Sequence, residues 1–77
     1  MGCRTLYRKL NHIVVKSFYS GGSYFTVVNT KKRTHCHVHK FNYNCARMIC
    51  VRASEGKIPD SYPEWMKDCI RRILWSI

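Results

Sequence analysis

The stretch RTHCHVHK, Arg33–Lys40, alternates residue by residue and follows SYFTVVN, Ser23–Asn29, a run rich in aromatic and β-branched side chains. Successive side chains of an extended chain point to opposite faces. Two such runs separated by a short polar segment read as a hairpin, here turning through Thr30–Arg33. Pairing Val27 with Cys36 puts Phe25, Val27, Cys36 and Val38 on one face. Tyr24, Thr26 and Val28 then share the other with His35, His37 and His39. One face is built for a core and one for water.

HIVVKSFYS, His12–Ser20, runs into Gly21-Gly22 and is expected to join the hairpin as a third antiparallel strand. Its N-terminal boundary is open, because Leu6, Leu10, Ile13 and Val14 also fit the spacing of a helix over residues 4–14. The β-branching of Ile13, Val14 and Val15 favours the strand.

Behind the hairpin the period changes. Tyr43, Ala46, Ile49, Cys50 and Ala53 recur every three or four residues, which predicts a helix over Asn44–Glu55 closed by Gly56. A second helix is announced by Ser61 and Glu64 at capping-box spacing, with Pro63 tolerated in its first turn. Its apolar stripe is Met66, Ile70, Ile73, Leu74 and Ile77, with Trp65 and Cys69 at the margin. The expected fold is therefore α+β: a small three-stranded antiparallel sheet with two C-terminal helices on one face and an N-terminal segment of either type. At 77 residues it is one domain, 1–77, with room for a single core.

Charge is as unevenly distributed as hydrophobicity. All four acidic residues, Glu55, Asp60, Glu64 and Asp68, lie in the last third, and the net charge is +10. Residues 1–54 carry ten Lys or Arg and no carboxylate, and residues 55–77 are neutral, so the whole excess belongs to the first 54 residues. A field of that shape attracts polyanions.

Five cysteines is an odd number, and the start MGCRTLYRKLNHIVV has neither a long apolar core nor a small-residue cleavage site. The thiols are thus expected to be reduced and mostly buried, in an intracellular, cytoplasmic protein. No run approaches the roughly 18 apolar residues that cross a bilayer. Gly2-Cys3 resembles an acylated start, but the position that wants Ser or Thr holds Leu6.

The basic, imidazole-rich segment raises three chemistries. A zinc site wants four converging ligands and usually announces itself with C-x-x-C, which is absent. The histidines stand ~6.6 Å apart along one side of a strand, so that neighbouring imidazoles could reach one ion but a third and fourth ligand would have to come from elsewhere. No metal or cofactor is expected. Catalysis lacks a sequence sign of an oriented base or an oxyanion site, so a non-enzymatic role is expected. Nucleic-acid binding suits the residues better: Lys31, Lys32, Arg33 and Lys40 for phosphates, Tyr24, His35, His37 and His39 as rings for unpaired bases. Arg47 and Arg52, on the first helix, are further candidate contacts. The alternative is a small protein-interaction module or inhibitor docking on a larger acidic partner. Trp75 with Arg71 would anchor it, because Trp75 falls off the apolar stripe of its helix.

Overall fold

A computed structural model describes residues 2–38 and 43–75. It orders four strands and two helices as β1 (Gly2–Lys9), β2 (His12–Tyr19), β3 (Gly22–Asn29), β4 (Thr34–Val38), α1 (Tyr43–Glu55) and α2 (Glu64–Trp75). The strands form one antiparallel meander in the order β1-β2-β3-β4. The class is α+β as the sequence predicts, with one strand more.

The extra strand replaces the helical option for the N-terminal segment. β1 pairs with β2 along its length, but the register slips between Thr5 and Tyr7, so Leu6 is the additional residue of a β-bulge. A bulge shifts the inside–outside alternation by one place. That slip is why the segment does not read as a strand, and why Leu6 and Leu10, which mimic a helical stripe, both end up exposed.

In the β3–β4 hairpin the register is the one the alternation dictates: Val27 lies opposite Cys36, Phe25 opposite Val38 and Thr26 opposite His37. β2 continues it, with Val14 opposite Val27. Val14, Val27, Cys36 and Val38 therefore line one face and are buried there under both helices. α1 supplies Ala46, Ile49, Cys50 and Ala53 to that core, and α2 supplies Met66, Cys69, Ile70 and Ile73. Full burial of a side chain such as Ile49, Ile70 or Ile73 contributes about 1.5–3 kcal/mol.

Cysteine chemistry departs from expectation. Cys36 and Cys69 form a disulfide, with Cα atoms 5.6 Å apart and a sequence separation of 33, so these two thiols are not reduced. The register turns Cys36 inward, and α2 rotates so that Cys69 belongs to its buried stripe and not to its margin. Closing a loop of that length restricts the unfolded chain by about 3–4 kcal/mol in the chain-entropy picture. Cys3, Cys45 and Cys50 take no part in the bond, and burial pushes the Cys50 thiol up to about 11. Among the described residues no helix is long and apolar enough to cross a membrane.

Helix ends follow local chemistry. Gly56, at φ 71°, closes α1 in the left-handed conformation; its N–H donates to the Ala53 carbonyl and that of Lys57 to the Arg52 carbonyl. This is the paired closure that glycine favours at a helix end. α2 starts at Glu64, where the Pro63 carbonyl accepts from Met66 and Lys67.

Two of these local features have measurable consequences. A Cβ at Gly56 meets no atom within 4 Å, so Gly56→Ala is penalised by the backbone alone. It should lower stability by about 1 kcal/mol in denaturant titration. His12 is 7 % exposed, neither ring nitrogen has a hydrogen-bond partner among the described residues, and burial holds its pKa below the usual 6.5. Below pH 6.5 the unfolded chain binds a proton that the folded chain resists, so stability should fall as the pH drops beneath that value. Unfolding measured from about pH 7.5 downwards should show this decline, and His12→Leu should flatten it.

Candidate nucleic-acid interface

Both helices lie on one side of the sheet, and among the described residues no element packs on the opposite face. The register assigns to it Tyr24, Thr26 and Val28 from β3, His35 and His37 from β4, Tyr19 from β2 and Arg8 from β1. Its rings touch one another in a row. Tyr19 and Tyr24 have centroids 5.9 Å apart, Tyr24 meets His37 edge to face at 5.2 Å, and His37 lies 5.0 Å from His35. Thr26 Oγ1 and the Nδ1 of His37 share a hydrogen bond of 3.0 Å, which orients the middle ring. The row crosses from the distal end of β2, over β3, to the start of β4, close to the β3–β4 turn.

That turn is shaped by Asn29, whose Oδ1 accepts from the backbone N–H of Lys31 and of Lys32 at 3.0 and 3.1 Å. Thr30 ties it to the neighbouring β1–β2 turn, its N–H and hydroxyl both donating to the Asn11 carbonyl. Arg33 takes a positive φ of 59° to leave the turn. The three cations of the tip do not behave alike. Lys31 and Arg33 project into solvent with no acidic partner among the described residues. Lys32 reaches back instead, its Nζ donating to the Leu74 carbonyl at the end of α2 at 2.8 Å.

The open face carries no carboxylate among the described residues. Glu55 is on α1, Asp60 is between the helices, and Glu64 and Asp68 are on α2. Among the described residues, the ion pairs involve carboxylates of the helical side. Arg52 donates to the Tyr62 hydroxyl and to Glu55, which together hold its pKa above the usual value, and Arg52 and Lys9 hold the Glu55 carboxyl below its own. Arg47 lies over the Tyr7 ring at 5.2 Å. Arg71 is bonded to Glu64 and Asp68.

Of the residues singled out from the sequence, the fold brings together Tyr24, His35, His37, Lys31 and Arg33. Lys32 stands beside them but is turned toward α2. His39 and Lys40 lie outside the described residues. Arg47, Arg52 and Arg71 belong to the helical side, and Trp75 is exposed at the end of α2. Reading the sequence alone overlooks Tyr19, the ring that begins the row. Its signal is the Gly21-Gly22 turn: a Cβ on Gly21 would stand 2.9 Å from the Tyr19 ring, so the glycine leaves room for it. Arg8 is overlooked because the bulge at Leu6 reverses the parity that places it outward. Among the described residues, no group of three or more His, Cys, Asp or Glu side chains converges as a metal site would require.

Comparison with known protein families, curated proteins and solved structures finds no match to this chain. Any functional assignment therefore rests on the site itself.

A cation near the last carbonyls of a helix is worth about 0.3–1 kcal/mol. Lys32→Ala should lower stability by that amount in thermal or denaturant unfolding, whereas Lys31→Ala should leave it unchanged within error.

Proposed function

We propose that this protein binds single-stranded nucleic acid on the open face of its sheet, as a non-enzymatic, regulatory binding module. The observation that carries the reading is the contiguous row Tyr19, Tyr24, His37, His35 on a face without carboxylates among the described residues, running onto a turn from which Lys31 and Arg33 project. Flat rings offer faces to unpaired bases, and stacking of this kind tolerates any base sequence. Cations at the end of the row neutralise phosphates, the source of most non-specific affinity. A single strand fits the arrangement better than a duplex, whose bases are already stacked on one another. Self-association through the same face is opposed by the net charge of +10.

Binding should weaken steeply with salt. Replacing Lys31 and Arg33 together by alanine should reduce the slope of log affinity against log salt by roughly 1.4, about 0.7 for each phosphate no longer neutralised. Tyr24→Ala and Tyr19→Ala should each cost about 1–3 kcal/mol for a single strand and little for a duplex. Fluorescence anisotropy with labelled oligonucleotides across a salt series measures all of these. A double variant with wild-type affinity and slope would remove the turn from the site.

Absence of binding at low salt would favour the second reading, docking on an acidic partner protein. Trp75, 64 % exposed, and Leu10, 72 % exposed at φ 55°, support it. Both lie toward the end of the molecule where Lys32 meets the last turn of α2. Arg71 suits an anchor less well than the sequence implies, being engaged by Glu64 and Asp68.

A further inference from the structure

Beyond the ring row, the edge of β4 and the side of α2 enclose an open groove of about 290 Å³ lined by His37, Val38, the Cys36–Cys69 disulfide, Trp65, Asp68 and Arg72. His37 belongs to both features, so the row continues into the groove around the sheet edge. Trp65, Asp68, Cys69 and Arg72 fall at positions three, four and seven apart on α2 and share one side of the helix. The floor is apolar, one wall is an indole, and the two charges are of opposite sign. That combination suits a planar, polar ligand better than an aliphatic one.

From this geometry we infer that the groove takes one guanine base of the bound strand. The inference rests on the single-strand reading above and adds a base preference to it. Trp65 supplies a face for the ring, and Arg72, with no acidic partner among the described residues, supplies a cation for the adjoining phosphate. Asp68 decides the base. A carboxylate accepts hydrogen bonds and cannot donate them, and beside a phosphate chain it repels unless it meets donors. Guanine alone presents two adjacent N–H donors on its pairing edge, beside its O6 acceptor; the corresponding edges of adenine, cytosine and uracil place no two donors side by side. Arg71 donates to Asp68 Oδ1 and so steadies the carboxylate, leaving Oδ2 and the remaining lone pairs for the base.

The test separates this groove from the row. Titrating isotopically labelled protein with GMP, AMP, CMP and UMP, followed by amide shifts, should show GMP binding about tenfold more tightly than the others, with shifts centred on residues 65–72. Asp68→Asn is nearly isosteric but presents one acceptor and one donor, and it should abolish the preference without loss of fold. Trp65→Phe should retain GMP binding and Trp65→Ala should lose it. A uridine octamer with one guanine should likewise bind about tenfold more tightly than one with a single adenine, and Asp68→Asn should make them equal. Equal affinities for the four nucleotides, or GMP shifts confined to the sheet face, would overturn the inference. GMP selectivity in a protein that binds no oligonucleotide would uphold the groove and overturn the strand-binding reading instead.

Discussion

The attachment of α2 to β4 is the contact on which the arrangement of the molecule depends. β4 is the short edge strand of the sheet, with a single strand neighbour among the described residues. It is held from beneath by the Cys36–Cys69 disulfide and by the Thr34 hydroxyl, which donates to the Ile73 carbonyl at 2.6 Å. The turn before it adds the bond from Lys32 to the Leu74 carbonyl. These links, together with Met66, Ile70 and Ile73 in the core, bind the helix to the inner side of the strand. His35 and His37, which alternate with Thr34, Cys36 and Val38, are turned outward by the same step. Covering one face and displaying the other are thus two results of one alternation.

Charge follows the same division. Glu55, Glu64 and Asp68 lie on the helices, where they engage Lys9, Arg52, Lys67 and Arg71, and Asp60 lies in the connection between them. A small domain cannot bury such groups, and exposed pairs of this kind add little stability. Their effect here is spatial. The carboxylates stay off the face that carries the rings, beside which stand Arg8, Lys31 and Arg33, while the register turns Arg4, Lys9 and Lys16 to the helical side.

Two residues sit at odds with a purely structural account. His12 is buried without a hydrogen-bond partner among the described residues, and Leu10 holds a left-handed conformation at a turn where glycine or asparagine would be easier. The first makes the fold sensitive to mild acid. The second keeps a large apolar side chain in solvent at a cost in backbone strain, as sites of contact often do.

Much of the architecture was legible in the residues themselves. Strict alternation over Arg33–Lys40 determined the hairpin register and the face of every histidine within the described part of that run, because a slip of one place would bury imidazoles and expose valines. Periodicity located both helices and their buried stripes, since Ala46, Ile49, Cys50, Ala53 and Met66, Ile70, Ile73 cannot be sheltered together in any other conformation. The bulge at Leu6 was not legible, because an irregular pairing leaves no period to read. The Cys36–Cys69 bond was not legible either: spacing along the chain says nothing about which inward thiols of a strand and a helix will meet. Nor could charge alone separate Lys31 and Arg33 from Lys32, or the sheet cations from Arg47 and Arg52. Those distinctions arise from where the last turn of α2 and the carboxylates come to rest, which only the packed chain decides.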